Sequence, residues 1–195
     1  VANIDNKGFS ERITTAPVSP FGQRAYVHTP FATCVALPTN QPINYGREHN
    51  PANQEQPMHP LYRYAYVTDR EVGLVVVDVD MLNDGDPDNN FLAQVATFNP
   101  DGKLAGATYL TIAGIHAYIL TPRGLAVVSI ADPLAPRLVA ELGAPDLNEL
   151  RAITVQFRYA FASDAEGLKV IDIADPEAPH LAAALPIANA GDLYV

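Results

Sequence analysis

One short pattern occurs three times in this chain: Gly73-Leu-Val-Val-Val-Asp-Val79, Gly124-Leu-Ala-Val-Val-Ser-Ile130 and Gly167-Leu-Lys-Val-Ile-Asp-Ile173. The glycines lie 51 and 43 residues apart. A segment that recurs at such a period is one piece of a supersecondary unit, and units of this size bury their apolar faces only by stacking on one another. That restricts the chain to a repeat architecture before composition is considered.

The surrounding residues define the unit. Each copy is preceded by an aromatic, alanine-centred strand: Tyr64-Ala-Tyr-Val67, His116-Ala-Tyr-Ile119 and Tyr159-Ala-Phe-Ala162. The connecting turns Asp69-Arg-Glu-Val-Gly73, Thr121-Pro-Arg-Gly124 and Asp164-Ala-Glu-Gly167 end in glycine, which reaches positive φ and lets the chain re-enter the ladder. The glycine strand is an almost continuous apolar run, so both of its faces are expected to be covered. After it come Asp132-Pro133 and Asp175-Pro176, suited to the first two positions of a type I turn. Outer strands follow at residues 137–142 and 180–185, and at 91–96 in the first unit. A last strand leads into the next unit at 108–112 and 151–155. Four short strands per period of about 40–45 residues is the arithmetic of a β-propeller blade.

The first 61 residues are different. Residues 1–23 show neither a helical nor a strand period, and residues 38–60 are rich in Pro, Asn and Gln, a composition that buries too little surface to offset backbone ordering. Between them, Ala25-Tyr-Val-His28 and Thr33-Cys-Val-Ala-Leu37 stand eight residues apart, the offset of Ala65 and Gly73. Residues 24–38 therefore read either as a degenerate blade, with Thr33 in the glycine position, or as part of an irregular segment. The domain reading is 1–61 irregular and 62–195 propeller blades. Residues 192–195 align with the strands at 151 and 108, so the chain is expected to continue into a further blade and to be a fragment of a larger propeller. Such a piece should expose apolar blade faces and self-associate.

Composition excludes several functions. Twelve basic residues against 22 acidic ones give a net charge of −10, which argues against nucleic acid and anionic membrane surfaces, since both demand a positive patch. No apolar run is long enough to span a bilayer. The single cysteine, Cys34, forms no internal disulfide, and CxxC and CxxCH are absent from these residues.

The run Gly-Leu-Lys-Val-Ile-Asp-Ile-Ala-Asp-Pro-Glu-Ala-Pro at 167–179 resembles the LVIVD repeat, and residues 124–136 and 73–79 resemble it in turn. The resemblance covers residues 62–195. It implies a β-propeller of exported or surface-attached proteins with no assigned catalytic residues, some of whose relatives sit beside multihaem or other redox modules. The expected fold class is all-β: a partial β-propeller of three recognisable four-stranded blades, with the degenerate fourth left open.

Candidate chemistry is sparse. Asp84, Asp86 and Asp88, followed by Asn90, alternate along an acidic insertion at residues 80–90, a pattern whose oxygens suit a hard cation such as Ca²⁺. The EF-hand form fails: Pro87 intrudes, Asn89 stands for the glycine, and Val95 for the closing Glu. A solvated acidic turn is the alternative reading. His49, Met58 and His59 read as solvated loop residues, His28 as a turn residue, His116 as a strand residue and His180 as an exposed one. No nucleophile stands in a GxSxG context, and no phosphate-binding glycine loop occurs. No catalytic residue and no cofactor other than Ca²⁺ is therefore expected.

The leading functional expectation is a non-enzymatic scaffold or protein-interaction module of a larger, extracytoplasmic protein. Its partners would be another protein or the remaining blades of the same polypeptide. The alternative is the accessory propeller of a redox or hydrolytic enzyme whose catalytic part lies outside these residues.

Overall fold

The computed structural model describes residues 27–38, 63–79 and 92–193. They form twelve strands in three antiparallel sheets of four: β1 (Ala32–Ala36), β2 (Tyr64–Asp69), β3 (Gly73–Asp78) and β4 (Ala93–Phe98); β5 (Tyr109–Ala113), β6 (His116–Thr121), β7 (Gly124–Ser129) and β8 (Arg137–Leu142); β9 (Ala152–Gln156), β10 (Tyr159–Ser163), β11 (Gly167–Asp172) and β12 (His180–Pro186). In each sheet the spatial order is the chain order. The described residues contain no α-helix, only a 3₁₀ turn at Pro100–Gly102. The fold is all-β, three blades of a propeller, as the repeat period predicts.

One strand differs from the sequence expectation. Residues 32–36 do not take the part of a glycine strand. They pair antiparallel with β2, Cys34 opposite Thr68 and Ala36 opposite Tyr66, and so provide the first strand of blade one. The eight-residue offset is a coincidence of spacing. What places β1 is its position beside β5: the Thr33 hydroxyl lies 3.0 Å from the Ala107 carbonyl, and Cys34 Sγ lies 3.8 Å from that of Leu110. The expected strands of the three blades appear within about two residues of their expected bounds, whereas the run at 25–28 lies largely outside the described residues and residues 192–193, expected to open a further blade, form no strand.

Blades stack in series because each strand has two apolar faces. Tyr66, Leu74 and Val76 of blade one meet Ala117, Ile119 and Val128 of blade two in one buried cluster. Tyr118, Leu125 and Val127 of blade two meet Ala160, Ala162 and Ile171 of blade three in a second. The aromatic and the leucine of each repeat thus point forward, to the following blade, while the intervening residues point back. All six residues of β3 and of β7 are buried. In β11 the forward-pointing Leu168 and Val170 are only half-buried. Alternation along a strand puts residues two apart on one face, so a single sequence period yields both contacts.

The turns behave as the residue types demand. Pro133 and Pro176 sit inside turns in which Ala135 N–H donates to the Asp132 carbonyl and Ala178 N–H to that of Asp175, each at 3.1 Å. The Asp132 and Asp175 carboxylates also accept from Leu134 and Glu177 N–H, at 3.0 Å each. A feature with no sequence signature recurs in all three blades. The outer strand carries one extra residue against the glycine strand, between Val76/Val77, Val127/Val128 and Val170/Ile171, a bulge that increases local twist.

Candidate interaction face

The antiparallel order puts two kinds of connection at opposite ends of the blades. The turns between second and third strands, and the links between blades, lie at one end. The turns between first and second strands, and the Asp-Pro loops, lie at the other, here called the far end.

At the first end an acidic residue holds each turn. In blade one, Asp69 is fully buried and accepts from Glu71 N–H at 2.7 Å, Val72 N–H at 3.0 Å, Phe31 N–H at 2.6 Å and the Thr29 hydroxyl at 2.6 Å. In blade three, the equally buried Asp164 accepts from Glu166 N–H at 2.8 Å, Gly167 N–H at 2.9 Å and Asn148 N–H at 3.3 Å. Each carboxylate therefore ties its turn to the segment leading into the blade's first strand. Blade two has Thr121 in this place, whose hydroxyl donates to the Gly124 carbonyl and accepts from Arg123 N–H. Lys169, buried, lies 3.4 Å from Asp164 and 2.6 Å from Glu166.

Burial raises the pKa of both carboxyls, but the hydrogen bonds donated to the charged form outweigh it, and for Asp164 the Lys169 charge adds to them; the net direction is downward. A depressed carboxyl contributes stability that is whole above its unfolded value and lost as pH falls through the folded value. The urea midpoint should therefore fall most steeply as pH drops below about 3.8, the ordinary value for these groups, after the smaller decline that the depressed His116 contributes below about 6.5. In an Asp69→Asn/Asp164→Asn variant that acid fall should be shallower; an unchanged acid profile would mean the two clasps do not govern it.

At the far end a second pairing marks blades one and three. Arg63 lies 3.3 Å from Asp78 and stacks 5.1 Å from the Tyr64 ring centroid. Arg158 pairs with Asp172 and stacks 5.3 Å from Tyr159. The hydrogen bond and charge of Asp172 raise the Arg158 pKa, and the Arg158 hydrogen bond lowers that of Asp172. In blade two Ile115, His116 and Ser129 occupy these places. His116 is half-buried; burial lowers its pKa, partly offset by the charge of Glu177 from the neighbouring blade. Burial pushes the Tyr118 hydroxyl up to about 12, consistent with a core aromatic.

The far end also holds a strained aromatic. Blade two turns from β5 to β6 through Gly114, at φ +60. Blade three turns from β9 to β10 through Phe157, at φ +55, with 92% of its surface exposed. Leu37 after β1, Ile115 and Leu134 are exposed at the same end, and Asp132, Asp175 and Glu177 are exposed around them.

The sequence-expected site residues distribute as follows. Asp84, Asp86 and Asp88, with His49, Met58 and His59, lie outside the described residues. His28 is exposed ahead of β1, and His180 is exposed at the start of β12. Cys34 is half-buried in β1 against the first interblade cluster. Among the described residues no group of three or more His, Cys, Asp or Glu side chains is arranged to hold a metal, and no helix is long and apolar enough to cross a membrane. Sequence reasoning missed Phe157, whose signal was the glycine of its sister turn, and the clasp role of Asp69 and Asp164, whose signal was their shared place four and three residues before the repeat glycine.

Comparison with curated proteins finds no match. Comparison with protein families matches the LVIVD repeat at residues 63–87 and 151–184, the first and third units, which are also the two that carry the Arg–Tyr–Asp arrangement. With the repeat matched at two stretches and its units seen as stacked four-stranded sheets, the chain carries LVIVD repeats on a propeller-like fold.

Proposed function

We propose that this chain is a non-enzymatic β-propeller scaffold, a protein-interaction module of a larger extracytoplasmic protein, and that the far end of its blades is the surface it offers. Phe157 carries this reading. Holding a bulky L-residue at positive φ costs about 1–2 kcal/mol, and exposing its ring forgoes the gain of burying it. Both penalties fall at a turn where the sister repeat uses glycine and avoids them. Local strain at an exposed side chain that does nothing for the fold is a mark of function. The exposed acidic residues around it favour a partner with an apolar socket rimmed by basic side chains.

The test compares the chain with Phe157→Gly, both used as bait for the extracytoplasmic fraction of source cells. The variant should melt no lower than the parent, because glycine relieves the strained φ, and should lose at least one partner that the parent retains in stoichiometric amount. Identical sets of bound proteins would overturn the reading.

A further inference from the structure

We infer that the first end of the blades holds a binding site for a small monocarboxylate bearing an aromatic or other flat apolar group, in a cavity between blades one and two. The cavity, of about 410 Å³, is lined by Phe31 ahead of β1, Ala32 and Thr33 of β1, Arg70 of the β2–β3 turn and Thr108 of the link to β5. Its size is within the range of small-molecule sites, about 300–1,000 Å³. The turn that carries Arg70 is the longest of the three. Three residues separate Asp69 from Gly73, where two separate Thr121 from Gly124 and Asp164 from Gly167. The main chain of Arg70 is pinned on both sides: its N–H donates to the Phe31 carbonyl at 3.1 Å, and its carbonyl accepts from Gly106 N–H at 2.7 Å. The sister turns have Pro122 and Ala165 after the clasp residue and so present no cation at this position.

The residues around the cavity select the ligand. Arg70 is exposed, and among the described residues no carboxylate or other group engages its guanidinium. The neighbouring acids do not neutralise it. Asp69 is buried with both oxygens committed to the four donors of the clasp, and Glu71 forms no ion pair with it. The Thr108 hydroxyl is likewise without a partner among the described residues, whereas the Thr33 hydroxyl is held by the Thr68 and Ala107 carbonyls at 3.1 and 3.0 Å. One guanidinium and one free hydroxyl suit a carboxylate, which a guanidinium binds through two parallel N–H···O bonds. Beside them the Phe31 ring is 57% exposed, while its own N–H and carbonyl are engaged by Asp69 and Arg70. An exposed ring next to an unpaired cation offers a flat apolar group contact area that a carboxylate alone leaves unused. A phosphate dianion would find a single cation to balance it, in a chain of net charge −10. The site lies at the end opposite Phe157, so it stands or falls apart from the proposed partner surface.

The probe is phenylacetate, added to the full chain, with acetate, inorganic phosphate and phenethyl alcohol as comparisons. An NMR titration should show saturable shifts of the Arg70 Nε–H and Gly106 amide signals with phenylacetate. Acetate and phenethyl alcohol, each of which keeps one half of the recognised group, should bind at least about 10-fold more weakly. Arg70→Gln should weaken phenylacetate by about 10-fold or more, and Phe31→Ala should bring its affinity down to that of acetate. Both side chains are exposed, so the variants should melt with the parent by circular dichroism; Phe31→Leu replaces Phe31→Ala if that chain melts early. The inference would be overturned by the lack of a saturable shift with phenylacetate, or by phosphate binding as tightly as phenylacetate. An Arg70→Gln or Phe31→Ala chain that binds phenylacetate undiminished would overturn it equally.

Discussion

Gly124→Ala is expected to cost the fold about 3–5 kcal/mol. Two penalties coincide. Gly124 sits at φ +127, outside the conformations open to an L-residue, which costs about 1–3 kcal/mol. A Cβ there would stand 2.2 Å from the Leu142 carbonyl and 2.6 Å from the Gly143 Cα, both backbone atoms at the end of the outer strand, so β8 itself would have to move. Gly102→Ala is the control. It has φ +71 but nothing within 4 Å, so only the conformational cost of about 1–2 kcal/mol applies. Urea denaturation of the two variants measures the difference. Equal losses would show that the close approach of the outer strand is not what fixes the repeat glycine.

Leu125→Ala is expected to cost about 2–5 kcal/mol, the range for emptying a sealed core position, because Leu125 is 1% exposed within the cluster between blades two and three. Its repeat equivalent is a different matter. The sequence alone assigns Leu168 the same weight, since both follow the repeat glycine, but Leu168 is half-buried on the forward face of blade three. Its truncation should cost about 1–2 kcal/mol in dilute protein. Thermal melts of both variants give the comparison, and equal losses would contradict the unequal burial of the two leucines.

This contrast shows how much the sequence discloses. A repeat period, a glycine before each core strand and two-sided apolar runs were enough to specify four-stranded blades, because backbone alternation and turn stereochemistry are local rules that any copy of the pattern obeys. The Asp-Pro turns were readable for the same reason: an Asx residue followed by a fixed φ has few alternatives. Local rules failed where spacing imitated a repeat. Residues 33–37 have the apolar character of a glycine strand and the expected offset, yet they serve as the first strand of blade one, because their pairing with β2 and their place beside β5 are decided by residues 30 or more positions away.

The candidate surface was less legible than the fold. Phe157 reads in sequence as another aromatic beside a strand, indistinguishable in type from Phe161 four residues on. Only the turn geometry separates them, placing one at positive φ in solvent and the other on a blade face. Asp69 and Asp164 likewise read as ordinary turn residues until the fold brings Phe31 and Asn148 N–H to them.

By itself the sequence determined the unit: which strands form, which residues turn, and which side chains point to a neighbour, since all follow from periodicity and φ preferences over a few residues. The tertiary structure alone decided which repeat position is sealed and which stands open, and where the outer-strand bulges and carboxylate clasps fall. Those depend on what lies across the gap between blades. Identical residues gain or forgo burial according to the sheet that stacks against them, and no local pattern encodes that neighbour.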